Sequence, residues 1–288
     1  MTDAASRSAD PPRPRIMIAA FEGWNDAGDA ASGVVDHLIE TWAAETVYEF
    51  DSEDYYDYQV NRPLVDLDDT GVRIISWPST ILALASPEGL AHDVVLVRGI
   101  EPSMRWKTFA DQLVSHARDL HVDLAITLGA LLADTPHTRP VPVTGTTSDD
   151  ALRERLGYSP SHYRGPTGIV GVLQQAFSVA GIPAVSLWAA VPHYVSAPPC
   201  PKATLALLGR MEDVIDVSIP AGDLPEDSRA WQRGVDELTA QDEELAEYVV
   251  SLEESRDTSD LPEASGEEIA REFERYLRRR DTGATGQN

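Results

Sequence analysis

The residues best equipped for chemistry lie in one short stretch, Phe21-Glu22-Gly23-Trp24-Asn25-Asp26-Ala27-Gly28-Asp29. It follows Arg15 to Ala20, which has the composition of a short buried strand, and precedes apolar residues at helical spacing, Ala31, Val34, Val35, Leu38 and Trp42. The turn therefore sits at the carboxyl end of a first strand, the edge at which open α/β sheets bind ligands. A phosphate site there would want glycines and bare backbone N–H groups. Glu22, Asp26 and Asp29 would instead repel a phosphate and suit a cationic group, an amine or a hydrated divalent ion. The same acids have a structural use. Asp26 is placed as the helix N-cap, Asp29 falls three residues on as in a capping box, and Trp24 packs.

A second turn, Tyr163-Arg164-Gly165-Pro166-Thr167-Gly168, opens a helix over 167–180 with Thr167 as its N-cap and no acid nearby. Arg98, Glu101, Arg105 and Arg139 lie at other strand ends or loops. If they converge with Glu22, Asn25 and Asp26, the cleft holds both signs of charge. It would then bind a zwitterion or a carboxylate, or form an internal salt-bridge network. His137 and His193 each follow a strand, but no H-x-H or H-E-x-x-H spacing is present, so no metal is expected. There is no G-x-S-x-G elbow for a serine nucleophile. Cys200 lies between two prolines, with Lys202 its only basic neighbour, which does not make a reactive thiolate. No cofactor motif emerges.

These turns need a scaffold. Short β segments read at 15–20, 45–50, 71–76, 80–84, 93–98, 123–128, 183–190 and 214–219, with helices at 104–119, 167–180 and 203–213. Strands alternating with helices imply a mainly parallel sheet covered on both faces. Two stretches, 51–70 and 129–148, read as long irregular loops. In the first, Tyr55, Tyr58 and Arg62 belong to a polar-aromatic cluster that either anchors an interface or packs over the sheet edge.

After Pro220 the composition changes. Residues 223–268 hold sixteen acids against three arginines. The segment is still patterned. Trp231, Val235, Leu238, Leu245, Val249 and Leu252 keep a 4-3 heptad spacing, with Asp242 its one polar member. A second helix over about 267–280 carries Ile269, Phe273 and Leu277, so the C-terminal part reads as a helical hairpin. Its apolar stripe either docks on the sheet or forms an oligomer interface. The expected organisation is a disordered tail at 1–14, an α/β core at 15–222, the acidic helical segment at 223–280 and a tail at 281–288.

The net charge is −25, with only two lysines. That argues against nucleic acid and anionic membranes as partners, since both need clustered basic residues. No apolar run approaches the ~18 residues of a membrane span, and Met1 to Arg15 lacks the apolar segment of a signal peptide. With one cysteine and hence no internal disulfide, the expected location is the cytoplasm.

The strings FEGWNDAGDAASG, DYQVNRP, GIEPSMRW, LGALLADTPHTRPVPVTGT, YRGPTGIVGVL and SLWAAVPHYV, with SPE, PKATLALL and LEES, resemble the bacterial branch of the proteasome assembly chaperone 2 family. The resemblance runs from about Ile16 to Arg280. It implies a phosphorylase-like three-layer α/β/α sandwich with a mainly parallel mixed sheet, a C-terminal helical segment, and self-association, a homotrimer first. It also implies proteasome core subunits as partners. Several relatives reach these through a C-terminal hydrophobic-Tyr-any-residue tail, whereas this sequence ends Thr285-Gly286-Gln287-Asn288. No catalytic residue is carried over. The leading expectation is a non-catalytic oligomeric scaffold or chaperone-like protein; the alternative is an enzyme or small-molecule binder, a hydrolase or group-transfer catalyst, using the cleft between the two turns.

Overall fold

The computed structural model describes residues 13–161 and 163–260. The expected tails at 1–12 and 281–288, and the expected helix at 267–280, lie outside them. In β1 (Arg15–Glu22), Ile16, Ile18 and Ala20 point into one apolar layer and Met17, Ala19 and Phe21 into another, all of them buried. A strand buried on both faces has no polar alternation, and it belongs in the middle of a covered sheet.

The chain continues through α1 (Ala30–Thr41), β2 (Glu45–Glu49), α2 (Ser52–Tyr55), β3 (Leu64–Leu67), β4 (Arg73–Ser76), β5 (Thr80–Ala85) and β6 (Asp93–Ile100). Next come α3 (Trp106–Asp119), β7 (Val122–Ala133), β8 (Val143–Thr147), α4 (Asp150–Leu156), α5 (Ile169–Val179), β9 (Ala184–Pro192) and α6 (Pro201–Ile215). Two further helices follow, α7 (Leu224–Ala240) and α8 (Glu243–Asp260). Seven strands form one sheet in the order β2-β5-β6-β1-β7-β9-β8. β6, β1, β7 and β9 are parallel, while β5 and β8 run antiparallel to their inner neighbours and β2 antiparallel to β5. The expected mainly parallel mixed sheet is present. α1 and α6 cover one face through Val34, Leu38, Leu207 and Met211; α3 and α5 cover the other through Phe109, Leu113, Leu173 and Phe177. Among the described residues no helix is long and apolar enough to cross a membrane.

Several local expectations are corrected. The segment 214–219 is not a strand. Val214 and Ile215 finish the buried stripe of α6, Asp216 ends that helix in the left-handed region (φ 53°), and the Ile219 N–H donates to Glu212 Oε1 at 2.7 Å. A side-chain acceptor on α6 thus takes the place of a strand partner. The stretch 129–148 is not irregular throughout, because β7 runs on to Ala133 and β8 forms the sheet edge. Likewise 51–70 contains α2 and β3.

The heptad seam does not run through one helix. The chain breaks at Gln241 and Asp242, and Asp242 Oδ1 accepts the Leu245 N–H at 3.1 Å. The polar residue in the seam is an N-cap, a role that short acidic side chains fill better than a helix interior. The C-terminal hairpin is therefore α7 and α8. Within it Val235, Val249 and Leu252 are buried, Trp231 and Leu245 are partly so, and Leu238 is exposed.

Polar side chains of the loop after β7 fasten this hairpin. His137 is buried, with Nδ1 2.8 Å from the Tyr194 hydroxyl and Nε2 3.0 Å from Asp236 Oδ1 on α7. Facing a carboxylate, Nε2 carries the ring proton, and Nδ1 accepts from Tyr194. Arg139 holds α8 through Asp257 (2.8 Å) and Glu253 (3.2 Å), and Thr138 donates to Glu253 as well. Tyr248 of α8 packs edge-on against His193 and Tyr194. Because Arg139 binds two acids of α8, Arg139→Ala should loosen that helix selectively. Limited proteolysis is expected to cut α8 faster in the variant while the core fragment persists. Equal cleavage rates would mean that the remaining contacts of α8, those of Thr138 and Tyr248 among them, hold it without Arg139.

Candidate functional site

The carboxyl ends of β1, β6 and β7 meet at one edge, and the N-termini of α1 and α5 point toward it. After β1 the chain turns at Gly23 (φ 111°), and the Asn25 carbonyl accepts the Ala130 N–H at 2.7 Å, which stitches the turn to β7. A single 3₁₀ turn, Ala27–Asp29, intervenes before α1. That insertion shifts the cap. Asp26 Oδ1 accepts from the Ala31 N–H (2.7 Å) and the Ser32 N–H (3.2 Å), five and six residues on, while Asp29 makes no capping bond. Asp26 thus serves α1 as expected, but not as a capping box.

Thr167 does not cap α5. Its cap position is Gly168, and the first N–H, that of Ile169, donates to Glu101 Oε1 at 2.8 Å. The same oxygen accepts from Asn25 Nδ2 at 2.6 Å. A carboxylate brought in from the end of β6 therefore fills the role that the sequence assigned to a local hydroxyl, and it complements the positive end of the helix. Asn25 is fully buried, and its amide occupies the space a side chain at Gly168 would need, since a Cβ there would lie 2.0 Å from Asn25 Oδ1. Glycine at 168 is a packing requirement.

The candidate arginines pair with acids. Arg98 bridges Glu22 (2.7 Å) and Asp36 of α1 (2.7 Å). These acids favour the charged guanidinium and hold it above its ordinary pKa against the opposing effect of burial. Arg105 pairs with Asp54 at the far side of α3's first turn. His137 and Arg139 are committed to α7 and α8. The ten candidate cleft residues thus do not form one constellation. Glu22, Asn25, Asp26, Arg98 and Glu101 are neighbours, Arg105, His137 and Arg139 belong to separate contacts, and Trp24 stands 65% exposed rather than packed. Beside Arg98 lies a hollow of about 630 Å³ between α1, α6 and α7, with Asp29, Asp36, Asp227, Thr204 and Trp231 in its wall. Burial, with nearby Glu22 next in effect, raises the Asp29 pKa. Cys200 is buried at the start of α6, and that burial pushes its thiol up, away from nucleophilic reactivity.

Of the candidate interface residues, Tyr55 belongs to the core, with its ring edge-on to Phe50 and Phe109 and its hydroxyl on Gln112. Tyr58 is half-buried against Trp77, and Arg62 is exposed. The sequence reading passed over Asp36 and Asp54, the partners of the two arginines. Asp36 lies on the exposed side of α1, and nothing in its spacing foretells an arginine from β6. Tyr56, in the same polar-aromatic stretch as Tyr55, is likewise a buried core residue, whose hydroxyl bonds Thr80 Oγ1 (2.7 Å) and the Ile100 carbonyl (2.9 Å), with burial pushing its pKa up to about 12.

The chain is thus an α/β protein whose sheet edge is closed by carboxylates on helix N-termini and whose two outer helices are fastened by side chains. Residues 20–239 match the model of the PAC2 family, and the chain belongs to that family. It is similar to the crystal structure of a PAC2 family protein from Streptomyces avermitilis, at 61% identity and TM-score 0.77, over 82% of this chain and 99% of that one. It is also similar to a Mycobacterium tuberculosis proteasome-assembly chaperone homologue, at 55% identity and TM-score 0.75, over 81% and 99% of the two chains. The archaeal proteasome-assembly chaperone homologue PbaA of Pyrococcus furiosus shares the fold at 15% identity, with TM-score 0.56 over 85% and 97%. Among curated proteins none matches.

Two stability changes follow from this edge. Glu101→Ala leaves both the Asn25 amide and the first N–H of α5 without their acceptor, and should cost about 1–3 kcal/mol in urea unfolding. A smaller loss than that would mean solvent replaces the carboxylate. Asp26 behaves oppositely. Burial raises its pKa above the usual carboxylate value, so the folded state takes up a proton more readily than the unfolded one. Its charged form therefore weakens the fold near pH 7, and the penalty fades as pH falls through the raised folded-state pKa. Asp26→Asn, which keeps one acceptor oxygen, is expected to raise the urea midpoint at pH 7 and to lose that advantage at pH 4. A midpoint lowered at pH 7 would show that the charge serves the helix end more than burial opposes it.

Proposed function

We propose that this protein is a non-catalytic, self-associating scaffold of chaperone type whose partners are proteasome core subunits. The observation that carries the reading is the commitment of most polar groups at the carboxyl edge to the fold itself, Asn25 Oδ1 and Asp26 Oδ2 being the buried atoms there without a partner. Asp26 and Glu101 satisfy helix ends, Arg98 is spent on Glu22 and Asp36, and His137 and Arg139 fasten the outer helices. A hydrolytic or group-transfer site would want such groups poised over a reacting atom. The Mycobacterium tuberculosis and Pyrococcus furiosus relatives, as homologues of proteasome-assembly chaperones, support the choice of partner. A cytoplasmic location and a homo-oligomer, a trimer first, belong to the same reading. A second reading rests on the 630 Å³ hollow beside Arg98, whose size suits a small ligand and whose walls mix one cation with several acids.

Native purification from the source cells, with quantitative mass spectrometry of bound macromolecules and small molecules, separates the two. Proteasome core subunits at near-stoichiometric amounts, with no retained metabolite, are expected. A stoichiometric metabolite without a protein partner would overturn the scaffold and favour the hollow.

A further inference from the structure

β3 and β4 form a two-stranded sheet of their own, paired Leu64↔Ser76, Val65↔Ile75, Asp66↔Ile74 and Leu67↔Arg73. Residues opposite one another share a face. One face therefore carries Val65, Leu67, Ile75 and Arg73, and the other carries Leu64, Asp66, Ile74 and Ser76. Both faces are open: Leu64, Val65, Leu67, Ile74, Ile75 and Trp77 are between 42% and 70% exposed. An isolated ribbon of this length is marginal in water, yet its turn is built with care. Asp68 Oδ1 accepts from the Thr70 N–H, the Thr70 hydroxyl and the Val72 N–H, and Gly71 supplies the positive φ of 80°. The base is held by Tyr58, which packs on Trp77 at 4.9 Å and bonds Ser52 at 2.7 Å. The ribbon is preformed and uncovered.

We propose that this ribbon is the contact through which one copy of the chain binds another, a proposal that rests on the self-association in the reading above and names its surface. Three observations select a second copy. The first is area: the six residues expose roughly 600 Å² of mostly apolar surface over the ribbon's two faces, the low end of one partner's share of a specific interface. The second is charge. At −25 the copies repel one another over most of their surface, and the paired strands of the ribbon are mainly apolar, with Asp66 the one acid on them. Arg62 and Arg73 flank it, and an acidic neighbour of the same kind supplies their counter-charges. The third is the pair of open strand edges, whose N–H and C=O groups a like ribbon or an edge strand can pair. A lipid surface fits poorly, because Asp66, Asp68 and Asp69 outnumber the two arginines.

The test uses the full chain. Sedimentation velocity over a concentration series gives the mass of wild type, Val65→Asp and Ile75→Asp, with thermal melting as the control for folding. Wild type is expected above 31.4 kDa, and both variants should associate about thirty-fold more weakly or worse with melting unchanged. A dimer would place ribbon on ribbon, and a trimer would place each ribbon on another face of its neighbour; either supports the proposal. Hydrogen exchange in wild type gives an independent readout, since amides of 64–67 and 73–76 should gain protection as concentration rises. Oligomers that survive both substitutions, with ribbon amides unprotected, would overturn the ribbon while leaving self-association standing. A wild type that stays monomeric throughout would overturn both.

Discussion

The first N–H groups of α1 and α5 have no acceptors inside their own helices, and both helices begin at the buried carboxyl edge of a parallel sheet. Water cannot reach such a place freely, so the chain must bring acceptors to it. It brings carboxylates: Asp26 from the turn after β1, and Glu101 from the end of β6. Most of what is distinctive at this edge follows from that choice. Glu101 serves α5 and Asn25 through one oxygen, which fixes the Asn25 side chain, which in turn requires glycine at 168. The edge that in other doubly covered sheets receives a phosphate is here occupied by the protein's own negative groups.

Carboxylates so placed raise a second problem, because burial and then the nearby Glu22 and Asp36 disfavour the charge on Asp29. Arg98 answers it by lying between Glu22 and Asp36. Its guanidinium can satisfy two acids at fixed geometry, which an ammonium does less well. The pair with Asp36 also ties the end of β6 to the outer side of α1, so the cation is structural as much as electrostatic. The same logic recurs in the loop after β7, where Arg139 meets two acids of α8. In an acidic chain with few lysines, arginines are the scarce resource, and the described ones near these edges are used as bridges.

How much of this the sequence disclosed depended on the range of the interaction. Apolar runs located six of the seven strands of the main sheet and the helices that cover it, because burial on both faces leaves a local signature. The family strings supported the same architecture and its mixed, mainly parallel sheet. The failures were of two kinds. Val214 to Ile219 carried a strand-like pattern that the end of a buried helix can also produce, and only the bond from Ile219 to Glu212 distinguishes them. Thr167 was a good local cap with a better remote competitor in Glu101, sixty-six residues away. Asp242 was the reverse case. A polar residue in an apolar seam is a break signal, and that signal was present and underweighted. The candidate cleft residues were legible as polar turns, but their partners Asp36, Asp54, Asp236 and Asp257 were not, since none shares a motif with the group it pairs.

The ribbon of β3 and β4 had the plainest local signal and was still read as half loop. Leu64-Val65-Asp66-Leu67 and Arg73-Ile74-Ile75-Ser76 flank Asp68-Asp69-Thr70-Gly71, a turn sequence with acceptor and glycine in the right places. What obscured it was the lack of clean alternation. A strand with one face on a core shows alternating polarity, and a strand inside a covered sheet shows none; the ribbon resembles the second without a sheet around it. The main sheet's own covering helices are used elsewhere, α1 and α6 with α7 packed beside them on one face and α3 and α5 on the other. Apolar residues on both sides of an exposed ribbon are the pattern that the proposed contact between copies would cover, and reasoning from one chain's own core assigns that pattern to nothing.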